Sequence, residues 1–181
     1  MSDPVSALNG ASFQGFATIR EIGPVGMIAL RAKGLKALDK AIKAAIGVKT
    51  PAQRRIEVNG DRACAWMSPD EYLLMLPYAE VAVALAKLSK SLAAEHYLAV
   101  DVSDARAVFR IEGDRAADVL RKLSPVDFDR LAPGEVRRTR AAQVAAALWK
   151  QDQGFTLVCF RSVAAYVMGL LTHSAQPGSE L

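Results

Sequence analysis

Hydrophobic spacing changes period once between residues 105 and 123. Val108, Phe109 and Ile111 are strand formers, and Gly113-Asp114 closes their run. Ala116, Val119, Leu120 and Leu123 then fall at i, i+3, i+4 and i+7, the stripe of an amphipathic helix. Asp114 is placed to accept bonds from the first helical N–H groups, and Ser124-Pro125 stops the helix. The unit reads strand, glycine turn, helix, stop.

This unit occurs twice. Met27 to Ile42 repeats it at an offset of 79 residues, with Gly34 over Gly113, Ala37 over Ala116 and Asp39 over Asp118. A second pair of segments follows at an offset of 83, with Trp66 over Trp149, Leu74 over Leu157 and Leu88 over Leu171. A period near 80 is too long for a solenoid and suits a duplicated half-domain.

The remaining elements follow from the same reading. Residues 1–15 are small and polar and are expected to be a flexible N-terminal arm. Phe16–Ile22 reads as a strand, and Gly23-Pro-Val-Gly26 as a turn into the strand Met27–Arg31. Leu35, Leu38, Ile42 and Ile46 predict a helix with Gly47 as its C-cap. Arg54–Val58 leads to a turn at Asn59-Gly60, and a hairpin follows from Arg62–Met67 and Tyr72–Leu76. Val81, Leu85, Leu88 and Leu92 stripe the next helix.

In the second half, Tyr97–Ser103 and Ala105–Ile111 are strands. Val136–Arg140 is a charged strand with one exposed face, and Gln143–Trp149 and Phe155–Phe160 form a hairpin. Ser162 is the expected N-cap of a last helix carrying Val163, Tyr166, Val167, Leu170 and Leu171. Residues 174–181 read as a flexible tail. The expected organisation is one domain over 16–173, with repeats at about 16–95 and 96–173. The class is α+β: pseudo-duplicated half-domains of antiparallel strands with helices packed on one face. The hairpins exclude an all-parallel doubly wound sheet.

A chain of 181 residues can bury a sizeable core. Its net charge of +4 bears on non-specific affinity and not on fold. Cys64 and Cys159 both fall in predicted strands, so buried free thiols in a reducing cytoplasm are expected rather than a disulfide. No apolar run reaches the roughly 18 residues of a spanning helix, and no secretory signal opens the chain.

Motifs for chemistry are missing. His96 and His173 sit at helix ends, where an imidazolium is a common stabiliser. No CxxC, HxxxH or HExxH points to a metal, and neither Gly34 nor Gly113 belongs to a GxGxxG loop. Asp101 and Asp104 are the best carboxylate pair, and an Asx-type turn accounts for them better than acid–base work does. Arg138 and Arg140 share a strand face without interleaved aromatics, which favours solvent or an acidic partner over nucleic acid. Trp66 and Trp149 read as core residues, with interface anchoring next. No residue is assigned to catalysis, cofactor binding or a metal.

Several segments, taken in order, carry a family likeness. Trp66-Met-Ser-Pro-Asp-Glu-Tyr-Leu-Leu74 resembles the W-L-x-P-D-E-W-L-L segment of the γ subunit of heterotetrameric sarcosine oxidase. Asp101, Ser103, Arg106 and Gly113 match that family's D-V-S strand–helix segment, and Ser124-Pro-Val-Asp127 is similar to its C-P-L-D. Pro133-Gly134, Thr139, Phe155 to Val158, Arg161-Ser162 and Tyr166 extend the likeness, which covers about residues 20–172. Ser124 stands where the family often has Cys, so no thiol chemistry is assigned there.

The resemblance implies a fold similar to the aminomethyltransferase folate-binding domain, itself made of two related halves. It also implies a small subunit without redox cofactor that packs against α, β and δ subunits; expressed alone, such a subunit is expected to expose the covered face or hide it by self-association. In such complexes α carries FAD, NAD and a folate site, β carries FMN and the sarcosine site, and δ carries zinc. Sarcosine becomes glycine and hydrogen peroxide, and the one-carbon unit passes to tetrahydrofolate. The resemblance implies an assembly surface, for which Trp66, Arg138, Arg140 and Trp149 are the candidates. A stand-alone folate-binding or one-carbon transfer protein is the alternative, and an unrelated RNA-binding module is a third reading.

Overall fold

A computed structural model describes residues 4–181. Eleven strands and four helices appear among the described residues. They are β1 (Ser12–Gln14), β2 (Thr18–Ile22), β3 (Val25–Ala32), α1 (Leu38–Ile46), β4 (Ile56–Asn59), β5 (Arg62–Ser68), β6 (Glu71–Pro77), α2 (Val81–Ser91), β7 (Tyr97–Asp101), β8 (Arg106–Glu112), α3 (Ala116–Arg121), β9 (Val136–Ala141), β10 (Val144–Gln151), β11 (Gly154–Phe160) and α4 (Ala164–Ser174). No helix among the described residues is long and apolar enough to cross a membrane. The residues form two compact units, Val25–Ser103 and the remainder, Asp104–Leu181 with the segment before Val25.

In the unit Val25–Ser103 an antiparallel sheet runs β4-β5-β6-β3-β7. Alternate residues Ile28 and Leu30 of β3 and Tyr72, Leu74 and Leu76 of β6 face one side. There they meet Ala41, Ile42, Ala45 and Ile46 of α1 and Val81, Ala84 and Leu88 of α2. Gly47 ends α1 at φ 72°, its N–H bonded to the Lys43 carbonyl, as the helical stripe predicts. The β4–β5 turn is Gly60-Asp61, one residue later than expected, because Asn59 still pairs with Arg62.

The other unit repeats this plan. Its sheet runs β1-β2-β8-β11-β10-β9. Ile19, Phe109, Ile111, Leu148, Phe155 and Leu157 pack on Val119 and Leu120 of α3 and Val167 and Leu171 of α4. Both units are thus antiparallel sheets with helices on one face, the α+β plan expected.

Pairing adds what the repeat does not show. β2 opens the first sequence repeat, yet it pairs with β8 of the second. β7 opens the second repeat, yet it pairs with β3 of the first. Each sheet therefore takes its flanking strand from the other repeat.

Three local expectations change. α3 and α4 are preceded by Arg115 and Val163, without side-chain caps from Asp114 or Ser162. Backbone carbonyls take the first N–H groups instead: Gly113 for Ala116, and Arg161 for Ala164. Tyr166 is 48% exposed, since the buried stripe of α4 is Ala164, Val167, Leu171 and Ser174. A residue before Val167 lies about 100° round the helix from it.

The segments expected to be loose carry defined contacts. Residues 1–3 lie outside the described residues. Beyond them, β1 pairs with β2, and Arg161 bonds the Val5 and Ser6 carbonyls. In the tail, Lys122 bonds the carbonyls of Ser174 and Ser179.

The junction of β7 and β3 supplies one prediction. The Ser103 hydroxyl donates to Asp101 Oδ1 at 2.6 Å and accepts the Met27 N–H at 2.9 Å. Ser103→Ala leaves that buried N–H without its partner and is expected to cost about 1–2 kcal/mol, read from a urea midpoint.

Candidate functional site

The residues of the charged strand sit where alternation places them. β9 is an edge of its sheet. Val136 and Ala141 at its ends are buried, and Arg138 and Arg140 are exposed. Arg137 turns the other way and pairs with Glu135 at 2.8 Å. The edge thus presents two guanidiniums on one face.

The tryptophans do not share that surface. Trp149 is 2% exposed, and its ring N–H meets Gln151 Oε1 at 3.4 Å. Trp66 is partly buried against the helix-side core of its own sheet. Trp149 points to the helix-free face, because its neighbour Leu148 points to the helices. Cross-strand pairing explains the difference. Trp66 opposes Tyr72, while the position opposite Phe155 is Lys150. A bulge between Trp66 and Ser68 adds one residue to the first hairpin. Aligning the two tryptophans therefore slips the strand by one, and a one-residue slip reverses the face.

The residues carrying the family likeness are mostly fasteners. Asp101 Oδ1 accepts both the N–H and the hydroxyl of Ser103, which is the Asx-type turn expected. Arg106 lies 4.0 Å over the Phe160 ring. Gly113 adopts φ 120°, a conformation that excludes most side chains. Ser124 and Thr139 hydroxyls approach at 3.4 Å, and Asp127 Oδ1 accepts two backbone N–H groups. The Ser103 hydroxyl that meets the Asp101 carboxylate is buried and also accepts the Met27 N–H, so it serves the fold rather than reacting.

Elsewhere the fold forms a surface cleft of 630 Å³ that no sequence motif marks, since its charges come from separated segments. Asp118 is clasped there by Arg115 and Arg121, each at 2.7 Å, and Arg121 also meets Asp129. Burial alone raises the Asp118 carboxyl, but the two guanidiniums outweigh it and hold it below the ordinary range. Phe128 and Phe155, ring centroids 5.5 Å apart at 89°, also line the cleft. Its cations are matched by carboxylates, so it does not offer an anion a net positive site.

Burial pushes both thiols up, Cys159 to about 11 and Cys64 further, so both are poor nucleophiles at neutral pH. His96 and His173 are exposed, the latter in the last turn of α4. No group of three or more His, Cys, Asp or Glu able to hold a metal occurs among the described residues.

Comparisons with known proteins point one way. The model of the sarcosine oxidase, gamma subunit family matches residues 32–176. A sarcosine oxidase subunit gamma from Corynebacterium sp. (strain U-96) is 36% identical over 144 residues, covering 75% of this chain and 67% of its own. One from Arthrobacter sp is 32% identical over 152 residues, covering 81% and 73%. A chain of the heterotetrameric sarcosine oxidase from Corynebacterium sp. U-96, solved with pyrrole 2-carboxylate, superposes with a TM-score of 0.79 at 28% identity. That match covers 88% of this chain and 83% of the other. The aminomethyltransferase T of the glycine cleavage system from Bartonella henselae shares the fold, with a TM-score of 0.63 at 14% identity. It matches 87% of this chain and 45% of that longer one. The chain belongs to the sarcosine oxidase gamma subunit family.

Proposed function

We propose that this chain is the γ subunit of a cytoplasmic heterotetrameric sarcosine oxidase and works by holding the complex together. The observation that carries this reading is the match, over 88% of the chain, to a chain of such an enzyme. In the proposed assembly, α, β and δ subunits hold FAD, FMN, NAD, zinc and the tetrahydrofolate site. The complex oxidises sarcosine to glycine and hydrogen peroxide and passes the one-carbon unit to tetrahydrofolate. This chain lends surface rather than reacting groups. The stand-alone folate-binding reading rests on likeness of fold alone and is not adopted.

Arg138 and Arg140 are the proposed contacts to an acidic face of a partner, with Trp66 beside its own core as a lesser candidate. Opposed charge at an interface rim speeds encounter and fixes orientation. Co-expression with the three other subunits should give a four-chain complex that oxidises sarcosine, and this chain alone should release no peroxide. Arg138→Glu with Arg140→Glu should lower the assembled fraction about tenfold while the melting of the isolated chain stays the same. A complex of normal stoichiometry from the double variant removes β9 from the assembly surface.

A further inference from the structure

We infer that the open edge of β7 is a docking site for an extended segment of another subunit, which adds to the sheet as one more strand. The inference rests on the subunit reading above and names where one contact is made.

The two sheets have equivalent flanking strands. Leu30 of β3 pairs with Ala99 of β7, and Ile111 of β8 pairs with Ile19 of β2. Opposition to Tyr72 and Phe155 makes Leu30 equivalent to Ile111, two residues on from the offset of 79 set by the glycines, a shift that leaves the alternation of directions unchanged. Ala99 thus corresponds to Ile19, and Asp101 to Glu21. On the far side of β2 lies a further strand: β1 pairs with it through Phe13 and Ile19, and the Glu21 N–H donates to the Ala11 carbonyl at 2.8 Å. Beyond β7 no strand follows among the described residues.

Backbone direction agrees with this correspondence. The Val102 N–H donates to the Met27 carbonyl at 2.8 Å, so Val102 faces β3. Antiparallel alternation then turns Val100 and Leu98 toward β3, and Asp101, Ala99 and Tyr97 toward the open edge. The residues equivalent to the β1-binding positions are therefore the ones whose N–H and C=O groups face outward.

The side chains also lack the usual protection. Edge strands are commonly guarded by lysines, prolines or a bulge. β7 has none of these; its one charged residue, Asp101 at the end, turns its carboxylate to Ser103, and the strand exposes Leu98 at 54% and Val100 at 42%. Both lie on the helix-free face, opposite in direction to Tyr97 and Ala99, which pack toward the helices. An extended segment with apolar side chains at alternate positions would cover this pair while its backbone satisfies the edge. In an assembly of four different subunits, that segment belongs to one of the other three and not to a second copy.

Amide hydrogen exchange on the co-expressed complex and on the isolated chain tests this. The N–H groups of Ala99 and Asp101 are expected to exchange at least about a hundredfold more slowly in the complex. Ala99→Pro removes an outward N–H and leaves the ladder to β3 whole. It should lower the assembled fraction about tenfold with the melting of the isolated chain unchanged. Leu98→Lys with Val100→Lys should do the same without any backbone change. Equal exchange in an intact complex overturns the inference and leaves the subunit reading standing. Protection that appears in the isolated chain as its concentration rises assigns the edge to a second copy and also overturns it. A wild-type chain that does not join the complex refutes the subunit reading, and this inference with it.

Discussion

Gly154→Ala is expected to destabilise the chain by about 3 kcal/mol, at the upper end of the usual cost of overpacking. Gly154 begins β11, the strand between β8 and β10, and it opposes Glu112 on one side and Gln151 on the other. A methyl group there would stand 2.3 Å from the Ile111 carbonyl oxygen and 3.2 Å from Glu112 Cα. Both obstacles are backbone of the central ladder, so neither can rotate away. Relief requires β8 and β11 to part at the end that feeds α3. Urea unfolding should show a lower midpoint at an unchanged slope. Gly60→Ala is the control. Its φ of 61° is costly for alanine, but nothing lies within 4 Å, so a loss of about 1 kcal/mol is expected. Equal losses for the two variants would show that the Ile111 contact yields easily.

Glu21→Ala is expected to cost a similar amount, about 3 kcal/mol, and to release the N-terminal segment. The Glu21 side chain is buried on the helix side of β2, with the residue only 3% exposed. Its carboxylate accepts the Ser6 hydroxyl at 2.8 Å, the Ala7 N–H at 3.0 Å and the Gly10 N–H at 2.9 Å. Alanine leaves those donors without the acceptor that folds the segment over the strand. Glutamine should not rescue, because its NH₂ meets donors where the carboxylate offered oxygens. Protease cleavage within residues 5–11 should rise before the rest of the chain unfolds. If the segment stays as resistant as in the wild type, the Arg161 contacts and β1 pairing hold it without Glu21.

That role of Glu21 shows a limit of local reading. In the pattern Thr-Ile-Arg-Glu-Ile, alternation marks Ile19 as inward and makes Glu21 an inward residue too, which a half-buried strand rarely accepts. Only the returning segment 6–10 makes it acceptable. The cleft around Asp118 was illegible for a similar reason, since it is assembled from α3, the loop bearing Asp129 and the end of β10.

Local periodicity by itself determined the helices, every strand but β1, and the α+β class, because each depends on neighbours two to four residues away. It also placed Arg138 and Arg140 on one exposed face. The tertiary structure decided three further things. It sent β2 and β7 to the sheets of the opposite repeats, since a strand's own pattern names no partner. It turned Trp66 and Trp149 to opposite faces of their sheets, because one bulged residue after Trp66 shifts the register between the two hairpins. Among the described residues it left the β7 edge open while β1 pairs with the counterpart strand, because hydrogen bonding between distant segments is settled by chain path and not by composition.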